Sequence, residues 1–198
     1  MTVEEGIAIS EEQALVESDL SEHELILQRL ILAHETWFNV SRNYEYGGRV
    51  FPGYAEFHSH GEKYVLTKRA KLWEVDAHEY LFFASADVLS LDEIQDWIEF
   101  MTTKALEKVN PEPNHMNSYI SLVLVVNGVD EAAKKAIRKA RFHKEFKFGF
   151  LGWADLRLAV VDLSKRCVLA NAAGGEMRAA LESNAGFESS KKKIFTRR

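Results

Sequence analysis

A chain of 198 residues, 46% hydrophobic and 28% charged, is long enough for one sizeable core, which argues against two independent domains. Its net charge of −5 does not mark the body as a polyanion binder, but it hides an asymmetry: residues 1–24 carry eight acids and no Lys or Arg, whereas Lys191, Lys192, Lys193, Arg197 and Arg198 form a basic tail. The lone Cys167 excludes an internal disulfide, and no apolar run reaches the roughly 18 residues of a spanning helix.

These shifts divide the chain into an acidic arm over 1–20, a single domain over 21–186 and a basic tail over 187–198, with both ends expected to be disordered. The first residues lack the basic start and apolar core of a signal peptide. Cys167 sits in an apolar strand pattern and reads as a small buried hydrophobe. A soluble protein in a reducing cytoplasm is the expected setting.

In chain order, Ser21 and Glu24 form a capping box, and Leu25, Ile26, Leu30, Ile31 and Phe38 mark one helix face as far as about Arg42. After breakers at Gly47-Gly48 and Pro52-Gly53 come three strands, Tyr54 to His60, Tyr64 to Val75 and Glu79 to Ser85, with turns at His60-Gly61-Glu62 and Asp76-Ala77-His78. In the middle strand Tyr64, Leu66, Ala70 and Leu72 share one side, with Lys68 an exception, and Lys63, Arg69 and Lys71 the other. Ser90 and Glu93 repeat the capping box and open a second helix through Leu91, Ile94, Trp97, Ile98, Met101, Ala105 and Leu106, stopped by Pro111 and Pro113. Ile120 to Val126 is apolar on both faces, as a strand at the centre of a covered sheet should be.

Asp130 caps a third helix to about Phe142. Phe146, Phe148 and Phe150 then alternate as a strand, and Gly152-Trp153-Ala154-Asp155 turns the chain into Leu156 to Leu163. Ser164-Lys165-Arg166 reverses it into Cys167 to Ala170, and a last helix runs from about Gly175 to Leu181 after the Asn171 to Gly174 turn. The order α-β-β-β-α-β-α-β-β-β-α, with loops this short, predicts an α+β fold. A mixed, largely antiparallel sheet is covered by helices and buries Leu122, Leu124 and Phe148.

Glu62-Lys63-Tyr64-Val65-Leu66, Ala70-Lys71-Leu72-Trp73, Glu79-Tyr80-Leu81-Phe82-Phe83, Phe148-Gly149-Phe150-Leu151-Gly152-Trp153 and Leu158 to Leu163, with Asn171 and Gly174, resemble an uncharacterised bacterial family known only as a domain of unknown function. The resemblance covers about Leu20 to Glu182, rests on aromatic and glycine packing signatures, and implies one intact domain without supplying an activity. The opening α-β-β-β-α-β order also resembles the core of the restriction-endonuclease-like superfamily, an analogy of element order only.

The chain has no phosphate loop, paired-cysteine metal site or nucleophile elbow. His58 and His60 share a strand face, and Glu62, His78 or His115 would complete a divalent-metal site if the hairpins align; otherwise they are solvent-facing or structural. Glu145-Phe146-Lys147 has the acid-x-lysine spacing of a metal-dependent nuclease, but Asp130, the nearest upstream acid at a strand end, is separated from it by a helix. Lys134, Arg138 and Arg141, followed by Lys144, would line up against phosphates, or form a solvated face shielded by the acidic arm. Trp73, Trp97 and Trp153 are core aromatics or a stacking platform, with Trp153 the exception to the core reading. The leading expectation is a binding protein that meets a protein partner or itself, with no cofactor, no membrane and no enzymatic site. Nucleic-acid binding through residues 130–144, with or without cleavage, and a histidine metal hydrolase are the alternatives.

Overall fold

A computed structural model describes residues 20–64 and 71–187, with side chains described outside 60–76. The acidic arm, the basic tail beyond Phe187 and most of the expected Tyr64 to Val75 strand pattern lie outside the described residues. The elements are α1 (Glu22–His34), β1 (Asn39–Tyr46), β2 (Arg49–Tyr64), β3 (Lys71–Leu89), α2 (Leu91–Thr102), β4 (His115–Val129), α3 (Glu131–Lys139), β5 (His143–Glu145), β6 (Trp153–Asp162), β7 (Cys167–Ala170) and α4 (Arg178–Asn184). Short 3-10 turns at Ala105–Lys108 and Ala173–Met177 complete the set.

The described strands form one open, mixed sheet in the order β1-β2-β3-β4-β6, with β5 and β7 sharing the outer edge of β6. Pairing is antiparallel except for β3 with β4 and β4 with β6. The two parallel steps are bridged by α2 and α3, which cover the same face, as two crossovers of one hand moving in one direction require. The architecture is the expected α+β, and the succession of helices and strands is the expected one, but not with the same strands: β1 was not expected and begins inside the span expected for the first helix, and β5 takes the place of the strand expected over Phe146 to Phe150.

Alternation along the strands builds two cores. Tyr54, Phe82, Leu122, Leu124, Leu158 and Val160 face α2 and α3, where Ile94, Met101, Ala133 and Ile137 are buried. On the opposite face Ala55, Phe83, Val123, Val125 and Val161 meet Leu30 and Ile31 of α1 and Leu181 of α4. Residues 122–126 have no exposed surface, so the central strand is apolar on both sides because helices lie on both sides. Phe187 is 6% exposed and belongs to the second core, which carries the body one residue past the boundary expected from composition. Cys167 is half-buried, and burial pushes its thiol up, in keeping with a packing role.

Several boundaries differ from expectation for identifiable reasons. The first helix stops at His34, where Trp37 and Phe38 N–H groups both bond to the His34 carbonyl, and β1 begins at Asn39. Phe38 continued the helical spacing only because it reaches the same core from the turn, seven residues after Ile31. The expected turns at 60–62 and 76–78 are interior to β2 and β3, paired as His60 with Asp76 and Glu62 with Glu74. One glycine among strand formers did not break the ladder. The third helix ends at Lys139 because Ala140 turns extended, with ψ 126, to deliver β5 to the edge of β6. The largest correction falls on 146–150, a compact turn and not a strand: Phe148 is 95% and Phe150 84% exposed.

Candidate functional site

The segment leaving α3 places cations and aromatics on one rim. Between Glu131 and Lys147 the chain carries seven Lys and Arg against two Glu, a concentration opposite in sign to the whole protein. Arg138, Lys139, Arg141, Lys144 and Lys147 are exposed, as are His143 and Glu145. Lys134 differs: its side chain is 15% exposed and donates to Glu131 at 2.7 Å, so it does not share the expected row. Arg141 lies beyond the last helical residue, so it reaches the rim from the α3–β5 connection and not by helical spacing.

The β5–β6 turn is closed by its own backbone. Phe146 N–H donates to Gly152 O at 2.9 Å, Leu151 and Gly149 N–H both donate to Phe146 O, and Gly152 N–H donates to Gly149 O. Lys147, Phe148 and Gly149 occupy the left-handed region in succession, with φ of 46°, 57° and 84°. That conformation is uncommon for a bulky side chain and persists where surrounding bonds impose it. Gly152, at φ 70°, sits against β4 so closely that a Cβ would overlap the Met116 carbonyl and stand 2.7 Å from His115 O. The result is a fixed crown that holds Phe148 and Phe150 outward, with Lys144 Nζ 5.6 Å from the Phe146 ring at its base.

Behind the crown a cleft of about 330 Å³ is lined by Arg141, Phe142, His143, Asp155, Leu156 and Asn171 among others. His143 Nδ1 lies 2.6 Å from Asp155 Oδ1 across the β5–β6 pair. The floor is fixed by Asn171, 4% exposed, whose Oδ1 accepts from Leu158 and Gly174 N–H and whose Nδ2 donates to the Leu156 and Ala140 carbonyls. Its four hydrogen-bonding positions tie β6, the turn before α4 and the end of α3 together.

The histidines converge in part. His58 and His78 face each other across β2 and β3 with Nδ1 atoms 2.8 Å apart, and the His115 ring stacks on His78 at 5.8 Å. His115 is 5% exposed and spends both nitrogens, Nδ1 on Leu151 O at 2.7 Å and Nε2 on Ser118 Oγ at 2.9 Å, so it anchors the aromatic crown. Glu56 approaches His58 Nε2 at 3.9 Å and accepts from Tyr54 OH, whose phenol is held far above its ordinary range by burial and then by that bond. The side chains of His60 and Glu62 lie outside those described. Among the described residues no three His, Cys, Asp or Glu side chains gather as a metal would need.

Asp130, Glu145 and Lys147 are not brought together. Glu145 pairs with Trp153, which pairs with Asn117 near the start of β4, whereas Asp130 follows the end of β4, roughly 40 Å away along the strand. Trp97 packs on Phe51 and Phe100, Trp153 is half-buried against Tyr119 and His143, and the Trp73 side chain lies outside those described, so none of the three is an exposed platform; Phe148 and Phe150 are, and Trp37, 76% exposed, stands apart from this rim in the α1–β1 connection.

One polar constellation escaped the sequence reading. On the α1 and α4 face Arg157 donates to Glu79 at 3.3 Å and Glu176 at 3.1 Å, Ser121 donates to Glu79 at 2.6 Å, and Tyr119 lies under the guanidinium at 3.3 Å. Its signal was a charge at an otherwise apolar position on each of β3 and β6, detectable only once register is known. Two carboxylates already engage the guanidinium, which makes this a structural tie.

Over residues 22–183 the chain matches the family described as Domain of unknown function (DUF8052), and it belongs to that family. No curated protein and no solved structure matches it. No helix among the described residues is long and apolar enough to cross a membrane.

Proposed function

We propose that the protein binds nucleic acid through the rim formed by the end of α3, β5 and the crown over 146–152. The observation that carries this reading is the run of exposed Arg138, Lys139, Arg141, Lys144 and Lys147 ending at exposed Phe148 and Phe150. Cations that track a phosphate backbone next to aromatic faces are the combination polynucleotide binding uses. A protein partner would also value the phenylalanine pair, but it gives no reason for the cations around it. A cytoplasmic setting belongs to the same proposal, and the half-buried, unpaired Cys167 is compatible with it.

The test is anisotropy of a labelled oligonucleotide titrated with the full chain at low salt, in the wild type and in an Arg138→Glu, Arg141→Glu double variant. Binding weakened by about tenfold or more on reversal of these two charges is expected. Absent binding, or binding that the reversal leaves untouched, refutes the proposal.

A further inference from the structure

Resting on that reading, we infer that the rim selects single-stranded nucleic acid, with Phe148 and Phe150 as stacking faces and the cleft behind them as the seat of one unstacked base. Three observations meet here. Phe148 and Phe150 stand 95% and 84% in solvent on a backbone closed by its own hydrogen bonds, so no loop ordering is needed when a ring meets a base. In a duplex the base faces are already stacked on one another, and only an unpaired strand can offer them to a side chain. The second is the cleft of about 330 Å³, which opens between Arg141 and His143, midway along the cation run. It has room for a splayed base and is walled by Phe142 and Leu156, and His143 and Asp155, bonded to each other at 2.6 Å, form its polar side.

The third is the placement of charge. Lys144 lies just before the crown and Lys147 within it, Arg141 lines the cleft, and Arg138 and Lys139 precede it at the end of α3. A backbone that follows these cations crosses the cleft mouth before its bases reach the phenylalanines. The nearby acids bear on this path unequally. Asp155 is engaged with His143, and Glu145 is exposed beside the crown, close to Gly149.

The experiment compares labelled oligothymidylate of about 12 nucleotides with a duplex of equal length, using the full chain, Phe148→Ala, Phe150→Ala and the cleft-filling Ala172→Trp. Ala172 is exposed at the cleft wall, and both phenylalanines are exposed, so all three variants should fold. Single-strand binding stronger than duplex binding, lost by roughly tenfold or more in each phenylalanine variant and weakened by Ala172→Trp, is the expected result. Duplex binding should change by less than about twofold. Equal affinity for both forms, with no response to the phenylalanine variants, overturns the inference and leaves nucleic-acid binding in place. Capture by phosphatidylserine vesicles that depends on Phe148 and Phe150, without oligonucleotide binding, overturns both.

Discussion

Asn171 shows how a residue with no chemistry of its own can define a site. Every hydrogen-bonding position on its amide is used on backbone, that of Ala140 and Leu156 in the cleft wall and of Leu158 and Gly174 next to it, and the side chain is almost wholly buried. Replacing it by Ala would orphan the Leu158 and Gly174 N–H groups and the Leu156 carbonyl, at a cost of about 2–3 kcal/mol. Urea denaturation would register this as a lower midpoint with an unchanged slope. Asn171 was visible in the sequence as part of a packing signature, but its partners were not, since they lie on β6 and beyond α3. Phe148 was misread for a related reason. Alternating phenylalanines carry the same period whether the backbone is extended or folded into a left-handed crown. The deciding contact, Gly152 against the carbonyls of His115 and Met116, joins residues far apart in the chain.

Helix starts were legible and helix ends were not, because a capping box is local whereas an ending depends on what pairs next. In α2 the Ser90 hydroxyl accepts from Glu93 N–H at 3.3 Å, and the Glu93 carboxylate accepts from Ser90 N–H at 2.9 Å. Ser90→Ala should cost about 1 kcal/mol. The bonds from Ser90 hold the Glu93 carboxyl below its ordinary 4.5. A carboxyl whose folded-state pKa is lowered contributes stability above its unfolded pKa and loses it as pH falls through the folded value. The Ser90→Ala penalty should therefore shrink as pH is lowered below about 4.5, read from melting midpoints of both proteins across that range. A penalty that grows on acidification would contradict the box. α1 and α3 overran in the sequence reading because β1 and β5 take over the chain within a few residues of each helix end.

At the scale of the molecule, the α+β class was readable because period-two and helical patterns alternate with local breakers, whereas the identity of the strands was not: β1 was missed and β5 was displaced into the crown. Strand registers were not readable, and they decide which side chains meet. His58 and His78 became neighbours through a β2–β3 ladder that runs through two expected turns, and Asp130 was separated from Glu145 by the length of β4. A protein of −5 has a cluster of exposed cations, Arg138, Lys139, Arg141, Lys144 and Lys147, leading in the chain to Phe148 and Phe150, the most exposed phenylalanines among the described residues, a local concentration that composition averages away. The most direct test of that rim is the salt dependence of oligothymidylate affinity in the wild type and in Arg138→Gln, Arg141→Gln. Four or so phosphate contacts predict a slope of log affinity against log salt between roughly −2 and −3, shallower by about 0.7 for each arginine removed. A slope near zero, or one that both substitutions leave unchanged, would contradict the account.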